Sequence, residues 1–237
     1  MPGKVLIVIP CYNEEAALPA VLQELQRTTL PGGYKLEIAV INDCSKDNSS
    51  AVARQNGATV IDLPINLGIG GAVQTGIRYA LEQDFDIAIQ LDGDGQHPPK
   101  ELPKLISHHV ETGANVVIGS RFLEKEGFQS SFARRLGIKY FHWVNRLMTG
   151  LQVYDSTSGF RLFDRKAIEM AAFNYPDEYP EPESLVVFSK AGLKIAEVAV
   201  IMEARQGGQS SIRSFGSLYY CFKVSLAMLF SFIRKPS

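Results

Sequence analysis

The chain has 237 residues, which suits one large domain or one domain with an appendage, since a domain typically takes about 150 residues. Hydrophobic residues make up 46% and charged residues 21%, an ordinary globular composition that excludes a disordered or fibrous protein. The formal net charge of −1 excludes a polycationic coat for nucleic acid, so no nucleic-acid partner is expected.

Apolar runs rich in β-branched residues alternate with segments of helical spacing from the N-terminus to Ile118. Strands are predicted at Val5–Ile9, Leu36–Ile41, Thr59–Leu63, Ile87–Leu91 and Val116–Ile118. Helices are predicted between them at Glu14–Arg27, about Asn48–Gln55, Gly71–Gln83 and Pro99–Glu111. The alternation indicates βαβ units around a mostly parallel sheet. After Arg121 the regularity fades, and we expect this half to shape the substrate site.

The cysteine count and the N-terminus both bear on the compartment. Cys11, Cys44 and Cys221 are too few and too scattered for a disulfide framework or a zinc ribbon, which favours a reducing, cytoplasmic location. The apolar run that starts at Val5 is interrupted by Pro10, so it is too short for the core of a signal peptide. It is interpreted as a buried strand.

The C-terminal segment has the pattern of an amphipathic helix. On a helical wheel one face carries apolar side chains and the opposite face carries small or polar ones; the apolar face is Leu218, Phe222, Leu226, Leu229 and Ile233. Basic residues before and after it favour anionic headgroups. We therefore predict a catalytic domain over residues 1–213 and a membrane-associating helix over residues 214–237. Packing of this helix on the protein's own body is the alternative.

Two carboxylates follow the fourth predicted strand, in the segment Asp92-Gly93-Asp94-Gly95-Gln96. In an open parallel sheet, ligands bind beyond the carboxyl ends of the strands. Two carboxylates beside a diphosphate, with Gln96 as a neutral oxygen donor, suit Mg²⁺ or Mn²⁺. Such a metal stabilises the charge that develops on a leaving nucleoside diphosphate. On this motif alone, a glycine-rich turn with solvated aspartates is the alternative.

Polar side chains also follow the first two predicted strands. Tyr12, Asn13 and Glu14 come after the first strand, and Asp43 comes after the second, together with Ser45 and Asp47. Asn13, and either Ser45 or Asp47, are alternatively helix caps. Capping does not explain Tyr12 or Asp43, so a binding site at this edge of the sheet is favoured.

These segments, taken in order, resemble the family 2 inverting glycosyltransferases of the A fold. The likeness rests on Val-Ile-Pro-Cys-Tyr-Asn-Glu-Glu, Ile-Asn-Asp-Cys-Ser-Lys-Asp-Asn-Ser, Asn66-Leu-Gly-Ile-Gly70 and Leu-Asp-Gly-Asp-Gly-Gln-His-Pro. Ile118-Gly-Ser-Arg121, Asp155-Ser-Thr-Ser158-Gly-Phe-Arg161 and Glu203-Ala-Arg205 are most similar to the dolichyl- and polyprenyl-phosphate branch. The likeness spans residues 4–213 and implies an α/β fold with a mostly parallel sheet in one nucleotide-sugar-binding domain. Asn42-Asp43-Cys44 departs from the Asp-Asp-Gly of many members.

The resemblance implies a role for each matching position. Donor binding falls to Pro10, Tyr12, Asn13, Glu14, Asp43, Asp92, Gly93 and Asp94. Metal binding, by Mg²⁺ or Mn²⁺, falls to Asp92, Asp94 and Gln96. The catalytic positions are Asp92, Asp94, Arg121 and Arg205, and the acceptor-phosphate positions are Arg121, Arg134, Arg135 and Ser158.

The chemistry of the acceptor agrees with that branch. A phosphate monoester is already anionic near neutral pH and hardly needs a general base, but it does need arginines. We therefore expect transfer from a UDP- or GDP-linked sugar to a polyprenyl phosphate at the inner membrane face, with the membrane surface and a small membrane-protein subunit as further partners. A saccharide hydroxyl acceptor in cell-surface polysaccharide synthesis is the first alternative, and its base would be Glu181, Glu183 or Asp155. A non-catalytic nucleotide- or lipid-binding module is the second.

Overall fold

Seven strands form one sheet in the computed structural model, which describes residues 3–124, 132–203 and 217–234. The strands are β1 (Lys4–Cys11), β2 (Lys35–Asn42), β3 (Thr59–Asp62), β4 (Ile87–Gln90), β5 (Val116–Ser120), β6 (Arg161–Asp164) and β7 (Ile195–Ala199). Their order is β3-β2-β1-β4-β6-β5-β7. β6 runs antiparallel to β4 and β5, and the other pairs are parallel. The predicted strands match β1 to β5, whereas β6 and β7 had no sequence prediction.

Eight α-helices are assigned within the described residues. They are α1 (Leu18–Arg27), α2 (Ser49–Gln55), α3 (Gly68–Glu82), α4 (Leu102–Thr112), α5 (Phe132–Thr149), α6 (Arg165–Asn174), α7 (Pro180–Lys190) and α8 (Ser217–Ile233). The prediction that α1 begins at Glu14 is wrong, because the backbone N–H groups of Ala17 and Leu18 both donate to the Glu14 carbonyl in a turn. α3 begins at Gly68 rather than at the predicted Gly71.

The side chains of β1 alternate between two hydrophobic cores, one on each face of the sheet. Val5, Ile7 and Ile9 pack with α1 and α4, whereas Leu6 and Val8 pack with α3, α6 and α7. Burial on both faces explains why this strand is an unbroken apolar run. β1 is thereby fixed in the middle of the sheet, and its carboxyl end lies between those of β2 and β4.

α8 packs against α5 and α7 through a small third core. Val224 and Met228 are buried there with Phe141 and Val186. The predicted apolar face is not the one that docks, since Phe222 and Ile233 are each 67% exposed. One side of α8 therefore packs on the protein, as the alternative interpretation expects, while its apolar stripe faces outward. No helix within the described ranges has the length and hydropathy needed to cross a membrane.

Candidate functional site

The loops after β1, β2 and β4 meet at one edge of the sheet. β1 is hydrogen-bonded to β2 on one side and to β4 on the other, and all three run parallel. The segments that begin at Tyr12, Asp43 and Asp92 are therefore neighbours, as the strand-end argument expects.

The first two loops are joined by hydrogen bonds between side chains and backbone. The Asn13 amide oxygen accepts from the Lys46 N–H at 2.7 Å, and the Asn13 N–H donates to Ser45 Oγ at 3.0 Å. Asn13 adopts a left-handed conformation with φ of 57°, which asparagine tolerates better than most residues. Asn13 therefore connects the loops and does not cap α1. Asp47 does act at a helix start, because Oδ1 accepts the Ser49 N–H at 3.0 Å.

Asp43 is buried and holds the start of α3. Its two carboxylate oxygens accept the backbone N–H groups of Leu67 at 2.6 Å and Gly68 at 2.9 Å. The following residue, Cys44, has a φ of 60°, the left-handed conformation that a glycine adopts without strain. Cys44 thus adopts a backbone conformation that favours glycine. Tyr12, 45% exposed, is open to a ligand at the same edge.

The Asp92-Gly93-Asp94 loop is held from within. Asp94 is only 2% exposed, and its Oδ1 accepts the Gln96 N–H at 2.9 Å. The Asp92 N–H donates to His97 Nδ1 at 3.1 Å. His97 in turn stacks on Phe160 with ring centroids 5.1 Å apart. His97 supports the loop, a role that the sequence analysis did not identify; its place directly after the carboxylate motif was the available signal.

The donor set at this loop fits a small divalent cation. Carboxylates are the hard oxygen ligands that Mg²⁺ and Mn²⁺ prefer, and the Asp92 side chain remains 32% exposed. Space beside it is kept by Gly159, where a Cβ would lie 3.2 Å from Asp92 Oδ1. Among the described residues, no group of three or more His, Cys, Asp or Glu side chains is arranged to hold a metal ion. The protein thus offers a carboxylate pair, the arrangement that Mg²⁺ uses together with substrate phosphates.

Arg121 and Asp155 form a buried pair next to this loop. Arg121 Nε and Nη2 donate to the two Asp155 oxygens at 2.6 Å each, and the Arg121 N–H donates to Oδ2 at 3.1 Å. Asp155 is fully buried, so its carboxylate is already engaged and is a poor candidate for a general base. The charge of Asp92 acts on the Arg121 guanidinium, so Arg121 places positive charge near the carboxylate loop.

Among the other predicted acceptor-site residues, the structure describes the side chain of Ser158 but not those of the arginines. Ser158 is 2% exposed, and its Oγ accepts the Phe160 N–H at 3.3 Å. The side chains of Arg134 and Arg135, and all of Arg205, lie outside the described residues. The described range 132–203 ends at Glu203, whose N–H donates to the Gln96 carbonyl at 3.0 Å.

Glu181 and Glu183, two of the candidate bases for a hydroxyl acceptor, lie in the first turn of α7. Burial raises the pKa of Glu181, and the positive charge of Arg161 lowers it in part. Burial also raises the pKa of Glu183, and its hydrogen bond with Ser231 lowers it. The two carboxyl groups therefore have different surroundings.

Arg161 is a fully buried guanidinium that the sequence analysis noted only as part of a motif. It donates to the carbonyls of Ser158 at 2.7 Å and Ser156 at 2.9 Å, and to Ser184 Oγ at 2.7 Å. These bonds fasten the turn before β6 to the start of α7. A lone arginine between Phe160 and Leu162 was the signal available for it.

An open α/β sheet with an Asp-x-Asp loop at its carboxyl edge is the architecture of A-fold glycosyltransferases. Glucosyl-3-phosphoglycerate synthase from Mycobacterium tuberculosis, solved with Mn²⁺, UDP and glucosyl-3-phosphoglycerate, superposes with a TM-score of 0.72 at 20% identity, covering 99% of this chain and 81% of that one. Residues 6–170 match the model of Glycosyl transferase family 2, and the chain belongs to that family.

Two relatives span most of the chain. An uncharacterized protein of Methanocaldococcus jannaschii is 33% identical over 200 residues, 83% of this chain and 80% of its own. A UDP-N-acetylglucosamine–dolichyl-phosphate N-acetylglucosaminyltransferase of Methanococcus voltae is 28% identical over 216 residues, 83% of this chain and 84% of its own. The predicted fold, the predicted family with its likeness to the polyprenyl-phosphate branch, and the prediction of a glycosyltransferase enzyme are confirmed.

Proposed function

We propose that the chain transfers a sugar from a UDP- or GDP-linked donor to a polyprenyl phosphate, at the inner face of the membrane and with Mg²⁺ or Mn²⁺. The observation that carries the reaction is the Asp92-Gly93-Asp94 loop, which lies at the sheet edge beside the loops of Tyr12 and Asp43. The choice of acceptor is supported by the Methanococcus voltae relative, whose name gives a dolichyl phosphate acceptor.

The donor half of the proposed site uses the first, second and fourth strand ends. We assign the nucleoside contacts to Pro10, Tyr12, Asn13, Glu14 and Asp43, and a backbone contact with the diphosphate to Gly93. Asp92 and Asp94, with Gln96 beside them, would hold the cation. When bound, that cation supplies positive charge to the departing diphosphate. Because Asp94 is buried and anchored by the Gln96 N–H, this carboxylate is set in place before the donor arrives.

The acceptor half relies on basic side chains and needs no proton acceptor. A phosphate monoester oxygen attacks the anomeric carbon from the face opposite the diphosphate, which inverts the configuration. Arg121 contributes charge beside the carboxylate loop while Asp155 fixes its orientation. We assign the remaining phosphate contacts to Ser158, Arg134, Arg135 and Arg205.

Two helices that contact each other present apolar stripes to solvent. On α5, exposed side chains recur at helical spacing at Leu136, Tyr140, Trp143 and Leu147, and on α8 at Phe222, Leu226, Leu229, Phe230 and Ile233. The Tyr140 hydroxyl and Ser225 Oγ lie 2.8 Å apart, which brings the two helices together. Exposed aromatic and aliphatic side chains next to lysine and arginine are typical of a surface that enters the headgroup region. A small membrane-protein subunit is the alternative partner for this surface.

A transfer assay tests the reaction. The purified protein is incubated with undecaprenyl phosphate in detergent and with UDP-glucose, UDP-galactose, UDP-N-acetylglucosamine or GDP-mannose, and the lipid extract is analysed by mass spectrometry. We expect a lipid-linked sugar with one donor, abolished by EDTA and restored by Mg²⁺ or Mn²⁺, and lost in Asp94→Asn. Product that survives both EDTA and Asp94→Asn would contradict the metal site, and binding of every donor without any turnover would favour a non-catalytic module.

A vesicle assay tests the membrane surface separately. Trp143 is the single tryptophan of the sequence and is 65% exposed, so its fluorescence reports insertion directly. We expect a blue shift with vesicles of phosphatidylglycerol, weakened in Phe230→Ser. Phe173→Ser is the control, because Phe173 is also 65% exposed but lies on α6. Equal binding by both variants, or no blue shift at all, would remove the bilayer as partner and leave the protein subunit.

One observation favours a saccharide hydroxyl as a second candidate acceptor. Glu181 lies near Asp92, and its raised pKa is a property of many general bases. Replacement of undecaprenyl phosphate by an oligosaccharide in the transfer assay tests this candidate. Label in the oligosaccharide, with the pH profile of its formation shifted in Glu181→Gln, would establish it.

A further inference from the structure

Glu181 and Glu183 occupy the same helical turn but face different parts of the protein. Glu183 Oε1 accepts the Ser231 hydroxyl of α8 at 2.6 Å, so this side chain joins two helices. Glu181 instead lies within range of the charges of Arg161 and Asp92, which act in opposite directions on its pKa. Glu183 is thus part of a contact between two helices, whereas Glu181 belongs to the sheet edge that carries Asp92.

The position of Glu181 is fixed by its neighbours. Its backbone carbonyl accepts the Ser184 hydroxyl at 3.1 Å, and Ser184 accepts from the buried Arg161 at 2.7 Å. Arg161 is also the register partner of Gln90 across the antiparallel β4–β6 pair. Strand, turn and helix therefore bring Glu181, Arg161 and Gln90 together independently of any ligand.

Gln90 places an amide donor beside the Glu181 carboxylate. Its Oε1 accepts the Tyr175 hydroxyl at 3.2 Å, while Nε2 is buried and makes no hydrogen bond of normal geometry. The amide still lies close enough to Glu181 to lower the pKa of that carboxyl. A Cβ on Gly159 would lie 2.9 Å from this nitrogen and 3.2 Å from Asp92 Oδ1. Gly159 therefore keeps the space between the amide and the carboxylate loop clear of a side chain.

Glu181 and Gln90 together have the chemical groups that recognise sugar hydroxyls. A carboxylate accepts O–H donors through two oxygens, and an amide N–H donates to the oxygen of a neighbouring hydroxyl. Glu181 is partly exposed, so a ligand can reach it. Burial disfavours the charged form of its carboxyl group, and the positive charge of Arg161 offsets part of this cost. A few convergent polar groups beside a reacting centre are how pockets select one orientation of a ligand.

We propose that Glu181 and Gln90 Nε2 bind hydroxyl groups of the transferred sugar and select which hexose the enzyme accepts. This inference rests on the proposed nucleotide-sugar reaction and deepens it. Glu181 accepts hydrogen bonds from hydroxyl groups of the sugar, and Gln90 donates to an adjacent hydroxyl oxygen. Asp92 lies on the diphosphate side of the same sugar.

The test compares Glu181→Gln with Glu183→Gln, which is the same substitution two residues further along the same helical turn. The transfer assay is run with the best hexose donor and with its 2-, 3-, 4- and 6-deoxy analogues. A site built to hydrogen-bond a hydroxyl rejects the analogue without it by a factor of about 10⁴ or more at its strongest. We expect Glu181→Gln to lower kcat/KM for the intact donor at least about 30-fold, the loss for a charge-assisted bond, and Glu183→Gln to change it less than about 3-fold.

The decisive result is the pattern over the analogues. Wild type should discriminate strongly against one or two deoxy donors, and Glu181→Gln should lose that discrimination while it binds the free nucleoside diphosphate as wild type does. An equal loss on all donors with a shifted pH profile would overturn the proposal in favour of a general base, and unchanged kcat/KM would overturn it outright. Glu181→Asp, which keeps the charge, and Gln90→Met provide the same comparison if Glu181→Gln does not fold.

A binding measurement separates this inference from the proposed reaction. Calorimetry compares each nucleotide sugar with its nucleoside diphosphate, in the presence of Mn²⁺ and without any acceptor. If Glu181 binds the sugar, the affinity gained from the sugar disappears in Glu181→Gln even where no lipid product forms. If that affinity gain is the same in both proteins, the proposal is wrong, whatever the acceptor.

Discussion

Removal of the Arg121 guanidinium should destabilise the fold strongly, because it leaves a buried carboxylate without its counter-charge. In the pair, the Arg121 side chain is 10% exposed and that of Asp155 is 0% exposed. Breaking such a pair from one side costs about 3–5 kcal/mol. Total stabilities are about 5–15 kcal/mol, so Arg121→Met should lose a large share of the free energy of unfolding.

Equilibrium unfolding in urea measures this loss. With an m-value of about 3 kcal/mol/M, the midpoint should fall by more than about 1 M. Arg121→Met/Asp155→Leu leaves no unpaired charge at these two positions, so the double variant should recover at least about 1 kcal/mol over Arg121→Met. The recovery is incomplete because the backbone N–H at position 121 loses its acceptor. A loss below about 1 kcal/mol in the single variant, or simple addition of the two single losses, would refute the assignment of a buried structural pair.

Three further changes test the fold around the site. Gly76→Ala should lower the free energy of unfolding in urea by about 1–3 kcal/mol, because its Cβ would lie 2.2 Å from Val8 Cγ1. Gly137→Ala on α5 is the control: its Cβ meets no atom within 4 Å, so it should raise that free energy by about 0.5–1 kcal/mol. The reverse order of the two variants would refute the packing. Cys44→Gly should raise the stability by up to about 1 kcal/mol by relieving the left-handed φ, and a loss would contradict that strain. Hydrogen bonds from Asn42 and Arg54 lower the pKa of Asp62 from 3.8 to about 2, so its contribution is present above pH 3.8 and lost as the pH falls towards 2; Asp62→Asn should flatten the acid limb of a stability–pH curve, and an unchanged limb would exclude this source.

The first half of the fold could be predicted because its strands are buried on both faces. β1 and β4 contain the apolar runs Val5–Ile9 and Ile87–Ile89, and each strand is followed by polar residues that mark the sheet edge. The site residues at these ends follow from the same rule, since parallel neighbours deliver their loops to one place. Asp92 and Asp94 were accordingly identified as site candidates from the sequence.

The second half was not predictable in this way because long-range polar contacts define it. β6 carries the buried Arg161, whose partners come from the preceding turn and from α7. The different fates of Glu181 and Glu183 depend on where α8 packs, which no local spacing encodes. The docked face of α8 also differs from its most apolar face, because Val224 and Met228 complete a core with α5 and α7.

The most direct test of the proposed function compares two acceptors that differ only in the phosphate. Undecaprenyl phosphate and undecaprenol are each incubated with the protein, Mn²⁺ and the radiolabelled donor, and label in the organic phase is counted for wild type and Asp94→Asn. The account predicts label in the phosphorylated lipid alone, and only with wild type. Equal label in undecaprenol, or label that persists in Asp94→Asn, would contradict it.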